Sequence, residues 1–208
     1  MLRAKRLNWQ SMNPNATLPP LVDPLPADTD ERDLARRLAR GEPNALEALI
    51  ERYAQRVTRL ARRLLGWGDG ADDVAQDVFL TVMHKAAMFR GEARLWTYLT
   101  AITVNRTRSL RRRRWLGERV LQVLASTRAT PSEHLPARER DATAEAVRGA
   151  VAGLPSGYRE VIVLRYLEEL SIGEVAEVLG LRPNTVEVRL SRARKLLEPE
   201  LAKLIRGE

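Results

Sequence analysis

The sequence predicts an all-α fold, with two small helical domains joined by a flexible linker. Three observations carry this. Apolar residues recur at the i, i+3, i+4 and i+7 spacing that lines one face of a helix. No segment alternates apolar and polar residues as a half-buried strand does. The periodicity lapses twice, in a proline-rich start and in a polar stretch near the middle. A length of 208 residues suits one large domain or two small ones. The boundaries read as an extension at 1–28, an N-terminal helical bundle at 29–115, a linker at 116–140 and a C-terminal helix-turn-helix domain at 141–208.

Residues 1–28 hold five of the eleven prolines (Pro14, Pro19, Pro20, Pro24 and Pro26) and read as disordered. A helical signal starts near Asp33. From Pro43 it is clean, with Leu46, Leu49, Ile50, Tyr53, Val57, Leu60, Ala61 and Leu64 on one stripe. The sequence GWGDG at 66–70 stops that helix. Asp69 is placed to cap the next one, and Asp72 and Asp73 suit its positive N-terminal end. This third helix runs to about Met88, with Val74, Val78, Val82 and Phe79 towards its inner side. A turn at FRGEA leads into LWTYLTAITVNRTRSLRRRRW, residues 95–115. It opens with aromatic and aliphatic residues and closes with six arginines within nine residues, Arg106 to Arg114.

From Leu116 to Arg140 no stripe is sustained and two prolines intervene, as in a linker. Periodicity returns at Asp141–Ala152, with Ala146, Val147, Ala150 and Val151 on one face. Pro155 suits the first turn of a helix reaching about Leu170. Ser171 and Glu174 have the spacing of a capping box. Ile172, Val175, Ala176 and Leu179 turn inward, and Gly180 supplies a turn. Pro183 opens a last helix that buries Val186, Leu190, Ala193 and Leu197.

Composition excludes several functions. Hydrophobic residues make up 44% of the chain, enough for a core, but aromatic residues only 5%. With no cysteine there is no disulfide and no thiolate-held zinc. His84 and His134 are too few for a histidine-built metal site. No metal and no cofactor is expected. No apolar run approaches the ~20 residues of a membrane helix, and the basic N-terminus lacks the apolar core of a secretory signal. A cytoplasmic protein without membrane insertion is the expectation. Lysine plus arginine outnumber aspartate plus glutamate by 35 to 27, a net charge of +8. That excess, and above all the clustering of the arginines, points to a polyanionic partner.

Two short helices joined by a glycine turn read as a helix-turn-helix. On the second, the face opposite Val186 and Leu190 carries Asn184, Val188, Ser191 and Lys195, flanked by Glu187 and Arg192. These side chains suit base edges in a major groove, and Arg189, Arg194 and Lys195 suit phosphates. In the third helix, Asp73, Gln76, Asp77, Leu80 and His84 share a face. An acidic enzyme site built on Asp72, Asp73 and Asp77 is one reading, but no third ligand or base accompanies them. A stand-alone helix-turn-helix regulator is another.

Three segments together carry a resemblance. GADDVAQDVFLTV is similar to the core-binding segment of bacterial RNA polymerase sigma factors. LWTYLTAITVNRTRSLRRRR is similar to their promoter-melting segment. LPSGYREVIVLRYLEELSIGEVAEVLGLRPNTVEVRLSRARKLL is similar to their C-terminal promoter-binding domain. They stand in the family's order over about residues 33–115 and 140–203, and two domains match the extracytoplasmic-function (ECF) group.

The resemblance implies a non-enzymatic initiation factor that directs core RNA polymerase to promoter DNA, commonly under an anti-sigma factor. It implies core-polymerase contacts at Asp72, Asp73, Gln76, Asp77 and Leu80. It implies minus-ten recognition and melting by Trp96, Tyr98, Asn105, Arg106, Arg108, Arg111, Arg112, Arg113 and Arg114. It implies minus-thirty-five recognition by Asn184, Thr185, Glu187, Val188, Arg189, Ser191, Arg192, Arg194 and Lys195. Aromatic rings suit unstacked bases, and arginines suit phosphate. Tyr98 stands where the family usually has tryptophan, and its ring reads as either core or stacking platform. Glu187 and Val188 stand where the family usually has a basic residue and a serine. Glu187 reads as an acceptor for a cytosine amine or as the partner of an arginine such as Arg194. The linker at 116–140 would reach ~80 Å at ~3.3 Å per residue, more than two turns of duplex.

Overall fold

A computed structural model describes residues 28–85, 94–124 and 142–206. The expected extension at 1–28, apart from Asp28, and most of the expected linker lie outside the described residues. Among the described residues the regular structure is wholly helical.

Four helices form the N-terminal part: α1 (Asp28–Ala39), α2 (Pro43–Leu64), α3 (Ala71–Lys85) and α4 (Leu95–Leu124). Helix α2 forms where the stripe predicts, with Pro43 in its first turn. Leu49, Tyr53, Val57, Leu60, Ala61 and Leu64 are buried, but Ile50 is exposed. Helix α2 packs against both α3 and α4, and α3 packs against α4. Val74, Val78 and Val82 of α3 and Leu95, Leu99 and Val104 of α4 complete that core. Thr100, Thr103 and Thr107 of α4 are also buried. The hydroxyls of Thr103 and Thr107 donate back to the carbonyls of Leu99 and Val104, at 2.7 and 2.8 Å.

Two expectations change here. Helix α3 begins at Ala71, so Gly70 takes the capping position expected for Asp69. Helix α4 does not end near Trp115 but continues to Leu124. The absence of an apolar stripe after Leu116 reads as a linker in sequence.

The C-terminal part comprises α5 (Ala142–Gly153), α6 (Ser156–Ile162), α7 (Ile172–Leu179) and α8 (Pro183–Arg206). Helix α6 widens into a π-helical turn, Val163–Leu167, in which Glu168 N–H donates to the Val163 carbonyl at 3.0 Å. Val151 of α5 is buried, but Val147, expected beside it, is exposed. Helix α8 packs on α5, α6 and α7 through Val186, Leu190, Ala193 and Leu197. The two parts touch: α7 packs against α4, and α6 with its π-helical turn packs against α2.

Candidate nucleic-acid interface

The helix-turn-helix is built by local chemistry. Ser171 caps α7, its hydroxyl accepting from Glu174 N–H at 3.2 Å while the Glu174 carboxylate accepts from Ser171 N–H at 2.8 Å. Gly180 then takes φ 66°, the left-handed conformation that costs glycine least. Its N–H and that of Leu181 close the helix on the carbonyls of Glu177 and Ala176. Helix α8 therefore leaves the turn with its apolar stripe committed to the core and its opposite side outward. Asn184, Glu187, Val188, Ser191, Arg192 and Lys195 are all exposed, Val188 at 42%. Thr185, Arg189 and Arg194 are half-buried at the flanks. Glu187 makes no ion pair with a described residue, so the expected pairing with Arg194 is absent. Seven residues apart, the two stand on one face of the helix but about 10.5 Å apart along its axis.

Helix α3 presents Asp72, Asp73, Gln76 and Leu80 to the outside, joined by Met83 and His84. Asp77 is half-buried, with Arg113 at 4.0 Å from its carboxylate. Leu80 and Met83 are large apolar side chains left exposed within an acidic surface. No group of three or more metal-ligating side chains occurs among the described residues. None of their helices is long and apolar enough to cross a membrane.

Helix α4 divides its residues differently from the sequence expectation. Trp96 is only 3% exposed and leaves the candidate base-stacking surface. Its ring stacks on Tyr53, with centroids 6.1 Å apart and planes 10° off parallel, and the Arg56 guanidinium lies 3.8 Å from its centroid. Tyr98 and Ile102 are half-buried and Asn105 is exposed. Burial pushes the Tyr98 hydroxyl above its usual pKa.

The arginines are not equivalent. Arg106 donates to the Thr81 hydroxyl at 2.6 Å. Arg108 and Arg111 both grip Glu160 of α6, each with a shortest contact of 2.6 Å. Arg114 donates to the Asp69 carbonyl at 3.0 Å. Arg112 is exposed and makes no ion pair or hydrogen bond with a described residue. Glu160 is buried, and burial is the largest single influence on its carboxyl. The bonds and charges of Arg108 and Arg111 together outweigh it and hold the pKa below 4.5.

A second acid joins the two parts. Glu168 is buried against Arg63 at 2.7 Å and Arg56 at 3.6 Å. Here burial outweighs the arginines and pushes the carboxyl up. Arg159 reaches from α6 to the Leu64 carbonyl at 3.3 Å, passing over Gly66. A Cβ on Gly66, whose φ is 72°, would stand 2.7 Å from that guanidinium. Glu160, Glu168, Arg63 and Arg159 escape sequence reasoning, because a buried ion pair leaves no periodic mark.

Comparison with known proteins gives a consistent result. Residues 49–116 match the model described as sigma-70 region 2, and residues 144–197 match sigma-70 region 4. The chain is 27% identical to the ECF RNA polymerase sigma factor SigW of Bacillus subtilis, over 81% of this chain and 95% of that protein. It is 28% identical to the ECF RNA polymerase sigma-E factor of Haemophilus influenzae, over 84% of this chain and 97% of that one. Among solved structures, CnrH in complex with the cytosolic domain of CnrY is 30% identical, with a TM-score of 0.59, covering 83% of this chain and 97% of that one. The sigma factor RpoE from Bartonella quintana, solved with the anti-sigma factor NepR, shares the fold at 23% identity and a TM-score of 0.65, over 76% of this chain and 98% of that one.

Proposed function

Since the chain belongs to the extracytoplasmic-function group of RNA polymerase sigma factors, and is thus a transcription initiation factor and not an enzyme, we propose how its surfaces divide that work. Helix α3 binds core RNA polymerase through Asp72, Asp73, Gln76, Asp77 and Leu80. An apolar side chain ringed by polar ones is the usual form of an interface anchor. Helix α4 meets the minus-ten element, with Tyr98 and Asn105 towards the bases and the exposed Arg112, Arg113 and Arg114 towards phosphates. Helix α8 reads the minus-thirty-five element in the major groove through Asn184, Thr185, Glu187, Val188, Ser191 and Arg192. Arg189, Arg194 and Lys195 hold phosphates.

The observation that carries this reading is the outward face of α8. It holds donors, acceptors that include the Glu187 carboxylate, and one exposed valine on the second helix of a capped helix-turn-helix. By likeness to CnrH, which is seen with the cytosolic domain of CnrY, the chain also takes a protein partner, and the family resemblance implies an anti-sigma factor in that place. Run-off transcription with purified core polymerase tests the main claim. Promoter-specific transcripts are expected only when this chain is added. Specific duplex binding without polymerase, and no stimulation with it, would return the chain to the stand-alone regulator reading.

A further inference from the structure

We propose that Glu31 is a positioning residue for promoter opening. From α1 it caps the N-terminus of α4 and fixes the level at which that helix meets the separating strands. The inference rests on the reading of α4 given above.

Helix α4 opens at Leu95, and the Arg94 carbonyl accepts the first helical bond, from Tyr98 N–H at 3.1 Å. Arg94 thus holds the capping position. A cap needs a side-chain acceptor for the first free N–H groups. The arginine guanidinium has only donors. The acceptor comes instead from a residue 65 positions earlier, the Glu31 carboxylate, which takes the Trp96 N–H at 3.0 Å. Glu31 is only 5% exposed, on a helix anchored by buried Leu34, Ala35 and Leu38. A carboxylate there also meets the positive end of a 30-residue helix.

The ring of Trp96 is fixed independently, against Tyr53 and the Arg56 guanidinium. Backbone and side chain of one residue are therefore held from two other helices. Two residues on, Tyr98 begins the face that continues through Ile102 and Asn105. Glu31 lies outside the span 49–116 matched by the region 2 model. A face set before DNA arrives loses less on binding than one ordered by it.

The test uses holoenzyme carrying the wild-type chain, Glu31→Ala or Glu31→Gln, on a promoter that wild type transcribes. Permanganate reactivity of unpaired thymines reports opening. Run-off yield is compared between the paired template and one mismatched across the minus-ten element. Glu31→Ala should lower opening about tenfold, or about 1.4 kcal/mol, within the cost of a lost cap. Glu31→Gln keeps an acceptor oxygen and should retain most of the opening. On the mismatched template the alanine deficit should shrink to about twofold or less, because little unpairing is left to drive.

Binding of core polymerase through α3 should be equal for all three. An equal deficit on both templates would mean general structural damage and overturn the proposal, as would no deficit at all. A wild-type holoenzyme that opens no promoter overturns the α4 reading and this inference with it.

Discussion

Arg192 and Arg112 are both exposed and both charged, but they stand on helices that meet DNA differently. Arg192 lies beside the outward face of α8, where its planar fork can meet guanine O6 and N7 together. Arg112 lies on the exposed side of α4 among other arginines and offers charge without a defined edge to read. Arg192→Ala should cost about 1–3 kcal/mol on the preferred sequence and relax one base position. Arg112→Ala should weaken binding to all sequences alike and lower the salt slope by about 1. Selection from a randomised upstream element, with holoenzyme affinities read at several salt concentrations, separates the two. Equal loss on every sequence for Arg192→Ala would make it a phosphate contact. Arg108 and Arg111, which look the same as Arg112 in the sequence, are held by Glu160 in the folded chain.

Helices whose ends are set by neighbouring residues are the ones the sequence describes well. The box between Ser171 and Glu174, the Gly180 turn and the α8 stripe depend on contacts a few positions apart, and each stands where its spacing predicts. The start of α4 stands at Leu95, where the turn before it predicts it, but the acceptor that caps it comes from Glu31, far away in sequence, and its end depends on no stripe at all. Neither that cap nor that end could be read locally. The local rule gives a direct test, because Ser171→Ala removes one half of the box. It should lower the stability of the C-terminal part by about 0.5–2 kcal/mol, read by denaturant unfolding. No loss would mean that α7 is held by packing on α4 and α8 alone.

Helix α3 offers a second test at this scale. Its outer face is legible because acids and an apolar anchor alternate with buried valines. Reversing Asp73 and Asp77 to lysine should weaken core-polymerase binding with helicity unchanged by circular dichroism. Native affinity in a pull-down would remove α3 from the polymerase interface.

Across the whole molecule, two acids of the C-terminal part are buried against arginines of the N-terminal part. The sequence separates the two parts by composition, but nothing in it marks their contact. Glu160 and Glu168 occupy positions that charge alone would place in solvent. Their titrations oppose each other. Arg108 and Arg111 hold Glu160 below the usual value of 4.5, so its contribution to stability is present above that pH and is lost as pH falls through the lowered value. Burial raises Glu168, so its contribution is present at low pH and is lost as pH rises through the raised value.

Comparing the wild-type chain with Glu160→Gln isolates the first acid, because Glu168 titrates in both proteins and largely cancels in the difference. The substitution keeps shape and removes charge from a site gripped by two guanidinium groups. At neutral pH it should lower the thermal midpoint, since Arg108 and Arg111 lose a charged partner. The gap should stay nearly constant down to about pH 5 and close as the medium is acidified below the ordinary carboxylate range, where wild-type Glu160 is itself neutral. Thermal unfolding of both proteins from pH 7 to about pH 3 reads this directly. A gap that persists unchanged at the acid end would mean that the glutamine disturbs packing at α6, and that the charge on Glu160 contributes nothing to holding the two parts together.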